Sequence, residues 1–209
     1  MSIRAVVASL RLIPVVTIDD PGRAVGVGEA LAEAGIRAVE VTLRTPAAWD
    51  AIGRLISAGT AIEVGVGTVL TADDVERAAA VGARFTVSPG LDEASVARAG
   101  ELDLPLLPGV ATATEVMRAV RLGCDAVKLF PADAVGGRAA ITALSAPFPG
   151  VGFVPSGGVT LANTPGYLEH TAVPAVSGSW MVPREHIVAG DFARIRDLSR
   201  RAADVAGLR

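Results

Sequence analysis

Of the 19 basic residues in this 209-residue chain, only one is a lysine. Lys128 stands in CDAVKLFPA (124–132), inside an apolar run instead of on a charged surface. An amine placed there has two uses. As a structural cation it pairs with a buried carboxylate, an arrangement that adds little stability because desolvation offsets attraction. As a nucleophile it must first shed its proton, and an apolar surrounding favours that by penalising the ammonium form. Arginine cannot replace it in the second role, since a guanidinium stays protonated and forms no imine with a ketone. In a chain that otherwise uses arginine throughout, a lone strand lysine favours the nucleophile, with the ion pair as the alternative.

The partner such chemistry needs is a carboxylate that can carry one proton. VEVTLRTP (39–46) supplies Glu40. Side chains alternate along a strand, so Glu40, Thr42 and Arg44 share one face, and Lys128 and Phe130 share one face of their own strand. The inward faces of two separate strands are thus polar where a packed barrel prefers branched apolar residues. Arg44 has the fork geometry to hold a carboxylate in bidentate fashion, and a rim ion pair is its plainer use. PSGGV (155–159) and SGSW (177–180) are glycine turns whose backbone N–H groups can approach an anion. Ser156, Gly157 and Gly158 in the first turn, and Gly178 and Ser179 in the second, are the candidate anion-binding residues, the first turn leading into a helix N-terminus. Each motif alone also fits an ordinary tight turn.

These residues sit at the ends of β-branched runs that alternate with alanine-rich amphipathic segments. The pattern predicts strands over 13–19, 38–43, 62–69, 85–90, 105–111, 126–132, 152–159 and 175–180. Helices are expected from the Asp20–Pro21 start to about 34, then over 46–58, 71–81 and 92–99. A further helix is capped by Thr112 or Thr114 and ends at Gly123, and the last three cover 137–145, 162–169 and 191–206. Eight successive strand–helix units with no dividing linker predict an α/β fold, one (β/α)8 TIM barrel spanning 1–209. The competing doubly wound sheet lacks its fingerprint. The glycines near Gly26 fall inside a helix, and those of GVGT at Gly65 fall inside a strand, where they are read as easing tight packing.

Net charge is −3 and the pI about 5.4, which argues against nucleic acid or an anionic membrane as partner. No apolar run reaches the roughly 18–20 residues of a membrane span. The N-terminal MSIRAVVASLRLIPVV carries Arg4 and Arg11 and no small-residue cleavage site, so no secretory leader is expected. The single cysteine, Cys124, excludes an intrachain disulfide and fits a cytoplasmic protein, where it reads as a small buried hydrophobe. His170 and His186 lie in unrelated contexts, and no metal-ligand spacing is present.

Taken together, the motifs resemble those of the class I 2-keto-3-deoxy-6-phosphogluconate (KDPG) and 4-hydroxy-2-oxoglutarate (KHG) aldolase family. The resemblance runs from RLIPVVTI through VEVTLRTP, VGVGTVLT, FTVSPGL, LPGVATATE, VKLFPA and PSGGV to SGSWMVP, with VEVTLRTP and VKLFPA the most specific. It implies a Schiff base between Lys128 and pyruvate, and proton transfer by Glu40. It assigns Arg44 and Thr68 to the pyruvyl part, Pro89 and Phe130 to the pocket wall, and Ser156, Gly157, Gly158, Gly178 and Ser179 to the phosphate. It also implies a homotrimer of barrels in the cytoplasm acting on a small phosphorylated keto acid in the Entner–Doudoroff pathway, without metal or cofactor. Ser156 stands where the family more often has threonine, and Ser177 where glycine is common. The related phosphogalactonate aldolases, the alternative substrate class, typically lack the arginine corresponding to Arg44. Two rival functions are a barrel isomerase or synthase that uses Lys128 as a point charge, and a sugar-phosphate sensor that performs no chemistry.

Overall fold

In a computed structural model, residues 2–208 are described. Nine short strands form the framework: β1 (Leu12–Val16), β2 (Ala38–Thr42), β3 (Glu63–Gly67), β4 (Phe85–Val87), β5 (Leu106–Leu107), β6 (Gly109–Val110), β7 (Ala126–Leu129), β8 (Gly152–Pro155) and β9 (Val176–Gly178). Every ladder is parallel. One arc runs β5-β4-β3-β2-β1-β9 and the other β6-β7-β8. β5 and β6 are the two halves of the fifth barrel strand, and β8 lies beside β9, so the arcs close into a (β/α)8 barrel. The expected single strand over 105–111 is interrupted at Pro108, which has no N–H to donate to a ladder. The Pro108 carbonyl still accepts from Lys128 N–H at 2.8 Å, so the break does not loosen the strand that carries the lysine.

The helices follow their strands in the expected order. They are α1 (Ile3–Leu10), α2 (Ala24–Glu33), α3 (Ala48–Ser57), α4 (Ala72–Ala80), α5 (Glu93–Glu101), α6 (Ala113–Arg121), α7 (Gly137–Ser145), α8 (Thr164–Leu168), α9 (Arg184–Ala189) and α10 (Phe192–Val205). Thr71 and Thr112 each close a capping box, with Asp74 and Glu115, which selects Thr112 over Thr114 as the cap of α6. Asp92 and Asp191 cap α5 and α10 by accepting from Ser95 N–H and Arg194 N–H. Around Pro21 the chain first makes a 3-10 turn, Pro21–Arg23, and α2 begins only at Ala24.

Two helices were not anticipated. α9 is a six-residue connection before α10. α1 does more for the site, because its apolar face plugs the N-terminal mouth of the barrel. Ser2 caps it by accepting from Ala5 N–H, and the Asp125 carboxylate accepts from Arg4 N–H at 3.0 Å, placing an anion at the helix N-terminus. Ile3, Val6, Val7 and Leu10 pack with the inward Ile13, Phe85, Leu107 and Val154. Each such side chain contributes about 1.5–3 kcal/mol on burial. Functionally, this cluster is a dry floor beneath the polar residues of the barrel interior. A second and larger apolar layer, with Val39, Val41, Val127 and Leu129 among its members, lies between the strands and the outer helices. The alternation expected for β2 and β7 is therefore realised: these residues face outward, leaving Glu40 and Lys128 to face in.

Candidate active site

Glu40 and Lys128 meet inside the barrel although 88 residues separate them in sequence. Lys128 Nζ donates to Glu40 Oε1 at 3.3 Å, and the two side chains are only 6% and 2% exposed. The ammonium end also lies over the Phe130 ring, 5.3 Å from its centroid. A charged pair held this far from water costs desolvation energy that the apolar floor does nothing to offset. The same pair is placed to exchange a proton, because among the described residues the Glu40 carboxylate is the only acidic side chain hydrogen-bonded to the amine.

Above the pair opens a cavity of about 130 Å³ lined by Val15, Arg44, Lys128, Phe130 and Val159 with Ser156, Gly157, Gly158, Gly178 and Ser179. It gathers most of the residues singled out from the sequence into one place. Arg44 is exposed at the rim, and among the described residues its guanidinium makes no ion pair. A free guanidinium on the wall of the cavity that also holds the buried amine is able to take a carboxylate in bidentate fashion.

The two glycine turns line the same cavity. The 130–133 segment is latched to the first of them: Ala132 N–H donates to Ser156 O at 2.8 Å and Asp133 N–H to Gly157 O at 3.0 Å. Gly157 and Gly158 adopt φ of +86° and +83°, a left-handed conformation that other residues resist. No hydrogen bond among the described residues uses the N–H of Gly157, Gly158 or Ser179. The expected helix N-terminus does not stand directly behind them. Thr160 and Asn163 instead exchange hydrogen bonds, Asn163 Nδ2 donates to Gly158 O, and α8 starts at Thr164. The turn itself, and not a helix dipole, presents the donors.

Glu40 reaches the cavity only through its contact with Lys128, and two further candidates lie apart from the lining. Thr68, just past β3, takes φ +61°, a conformation strained for a β-branched residue. Pro89 lies beyond β4, where its carbonyl packs so closely on Gly109 that a Cβ there would stand 2.2 Å from the oxygen. Neither borders the cavity. Ser88, on the same turn, donates its hydroxyl to Gly90 O at 2.7 Å and holds the loop shape.

Other inward polar groups serve the framework. Thr42 donates to Val16 O at 3.0 Å and pairs with the Thr17 hydroxyl at 3.0 Å, tying β1 to β2 beside Glu40. Cys124 is remote from the cavity, and burial pushes its thiol up to about 11, consistent with an inert side chain. Among the described residues no three His, Cys, Asp or Glu side chains converge as a metal ion would require. No helix among them is long and apolar enough to cross a membrane. Sequence reasoning missed Val15 and Val159 as cavity walls, since nothing distinguishes one strand valine from another before the barrel closes. It also passed over Gly67. The glycine spacing of GVGT was the available signal, and it was assigned to packing alone.

Comparison with known proteins agrees with this geometry. The model of the KDPG and KHG aldolase family matches residues 3–198. The 2-dehydro-3-deoxy-phosphogluconate aldolase of Treponema pallidum is 43% identical over 199 residues, 95% of each chain. The KHG/KDPG aldolase of Escherichia coli K12 is 40% identical over 197 residues, 94% of this chain and 92% of its own. A crystal structure of the Legionella pneumophila KDPG aldolase, with pyruvate captured as a covalent carbinolamine, superposes with a TM-score of 0.92 at 38% identity, covering 96% of this chain and 97% of that one. With a family match over nearly its whole length and relatives of about 40% identity along it, this chain belongs to the KDPG and KHG aldolase family.

Proposed function

We propose that this protein cleaves 2-dehydro-3-deoxy-6-phosphogluconate to pyruvate and glyceraldehyde 3-phosphate through a Lys128 Schiff base. The observation that carries the reading is the buried Lys128–Glu40 contact at 3.3 Å, with Lys128 lining the same cavity as the N–H groups of Gly157, Gly158 and Ser179, which are unpartnered among the described residues. The Lys128 amine adds to the C2 ketone, and loss of water leaves a cationic imine. Glu40, directly or through one water, takes the C4 hydroxyl proton. The C3–C4 bond breaks, its electron pair enters the imine to give an enamine, and C4–C6 leave as the aldehyde. Glu40 returns the proton to C3, water adds to the imine, and pyruvate departs to regenerate the amine. The imine is the electron sink, which is the role a cofactor or metal would otherwise fill.

In this reading Arg44 holds the C1 carboxylate, and Thr68 and Pro89 come into contact with the pyruvyl half once substrate fills the cavity. Gly157, Gly158 and Ser179 receive the phosphate within the cavity that Lys128 also lines, with Ser156 and Gly178 shaping the two turns. 4-Hydroxy-2-oxoglutarate presents the same pyruvyl half and is the second substrate, cleaved to pyruvate and glyoxylate. It lacks the phosphate, so it forgoes the donors of both turns. Arg44 and the names of the relatives favour the phosphogluconate over the phosphogalactonate substrate. The expected assay result is pyruvate release from both substrates, with kcat/KM higher for the phosphorylated one. Borohydride added with pyruvate should leave a stable adduct on Lys128. No adduct and no pyruvate release would return the protein to the rival readings of isomerase or sensor.

The assembly in this reading is a cytoplasmic homotrimer. Met117 and Val120, one turn apart on α6, are 45% and 44% exposed, apolar surface of the kind a subunit contact covers. Light scattering on the purified protein should give three chain masses, and a single chain mass at micromolar concentration would remove the trimer.

A further inference from the structure

We propose that Gly67 is a positioning residue for Glu40: its missing side chain is the space in which the carboxylate stands to reach Lys128. The inference rests on the Schiff-base reading above. β2 and β3 pair with Glu40 opposite Gly65 and Thr42 opposite Gly67, so Gly67 is the diagonal neighbour of Glu40 on the inward face. A Cβ on Gly67 would stand 2.3 Å from Glu40 Oε1, 2.5 Å from Cγ and 2.8 Å from Cδ. Oε1 is the same atom that accepts from Lys128 Nζ. Because Cγ is overrun along with the terminal oxygen, a small rotation of the carboxylate does not relieve the conflict. The whole side chain must leave its position, and at 1% exposure it has no solvent-filled space to enter without moving off the amine.

Gly67 is not required by the backbone. Its φ lies outside the left-handed region, so an alanine fits the strand conformation, and the three atoms its Cβ would approach most closely all belong to Glu40. Gly65, two residues earlier in the same strand, separates the two kinds of glycine. A Cβ there would stand 2.3 Å from the Phe85 ring, in the apolar floor. The first glycine of GVGT admits a core aromatic, whereas the second admits a proton-transferring carboxylate. The motif thus serves packing and chemistry at alternate positions.

The test compares Gly67→Ala with Gly65→Ala, reading imine formation with pyruvate by borohydride trapping and exchange of the pyruvate methyl protons in deuterated water. Gly67→Ala should fold and still trap pyruvate on Lys128, while methyl exchange falls on the order of 100-fold, the effect of about 1 Å of misplacement. Gly65→Ala should lower thermal stability and change exchange far less. Truncating the acid at its Cβ removes all three overrun atoms, so in Glu40→Ala/Gly67→Ala the exchange rate should match that of Glu40→Ala alone and exceed the product of the two single effects. Exchange in Gly67→Ala within about threefold of the unmodified protein would overturn the proposal, as would strictly additive single effects. If Gly67→Ala fails to fold, the double variant must fold, and loss of both would show a packing glycine only. Failure of the unmodified protein to trap pyruvate would instead remove the Schiff-base reading itself.

Discussion

Lys128→Arg is expected to abolish cleavage, with kcat reduced at least on the order of 10⁴-fold, while a positive charge remains beside Glu40. The size of the effect follows from the role assigned to the amine. A guanidinium can keep the ion pair but forms no imine, so every step after substrate binding is lost at once. A lysine serving only as a point charge would behave otherwise, because arginine supplies the same charge and a much smaller loss would follow. The comparison is sharpest when pyruvate and borohydride are added to both proteins and the intact masses are measured. The unmodified chain should gain one reduced adduct, and Lys128→Arg should gain none while retaining its circular dichroism. An arginine variant that turns over substrate within about tenfold of the original would end the Schiff-base mechanism.

Glu40→Gln carries the second largest effect. The amide has nearly the shape of the carboxylate and still accepts from Lys128 Nζ, but it cannot hold a proton for transfer. Methyl exchange and cleavage should fall by about 10²–10⁴-fold, the usual contribution of a positioned general acid–base group. Imine trapping should survive more nearly intact. The structural alternative predicts a different pattern. If Glu40 only neutralised Lys128, removing its charge would cost about 3–5 kcal/mol of stability with the chemical step otherwise unaltered. Thermal denaturation and exchange rates measured on the same sample separate the two. Large destabilisation with normal exchange would reduce Glu40 to a counter-ion.

Much of the site was legible because strand alternation is a local rule. VEVTLRTP puts Glu40, Thr42 and Arg44 on one face whatever the rest of the chain does, and VKLFPA does the same for Lys128 and Phe130. Helix starts were legible for the same reason. The threonines and aspartates at 71, 92, 112 and 191 satisfy amide groups three residues away, and α7 occupies the expected 137–145. Strand ends were overrun by up to four residues, because polar turn segments such as SPG and SGGV continue the extended pattern without joining a ladder. α1 was overlooked because its apolar residues run directly into those of β1. Only the barrel mouth it fills explains its amphipathic face.

Local rules of the sequence set the order of the eight strand–helix units, the faces on which Glu40 and Lys128 lie, and the chemistry open to a single lysine. Tertiary structure alone decided that residues 88 positions apart would stand 3.3 Å from each other. It also decided that Arg44 would stay unpaired at the rim, that Thr68 and Pro89 would stand back from the cavity, and that Gly67 would make room for Glu40 while Gly65 makes room for Phe85. The physical reason is that alternation depends on neighbours within a strand. Distances across a closed barrel depend on its strand register and closure, which no single segment encodes.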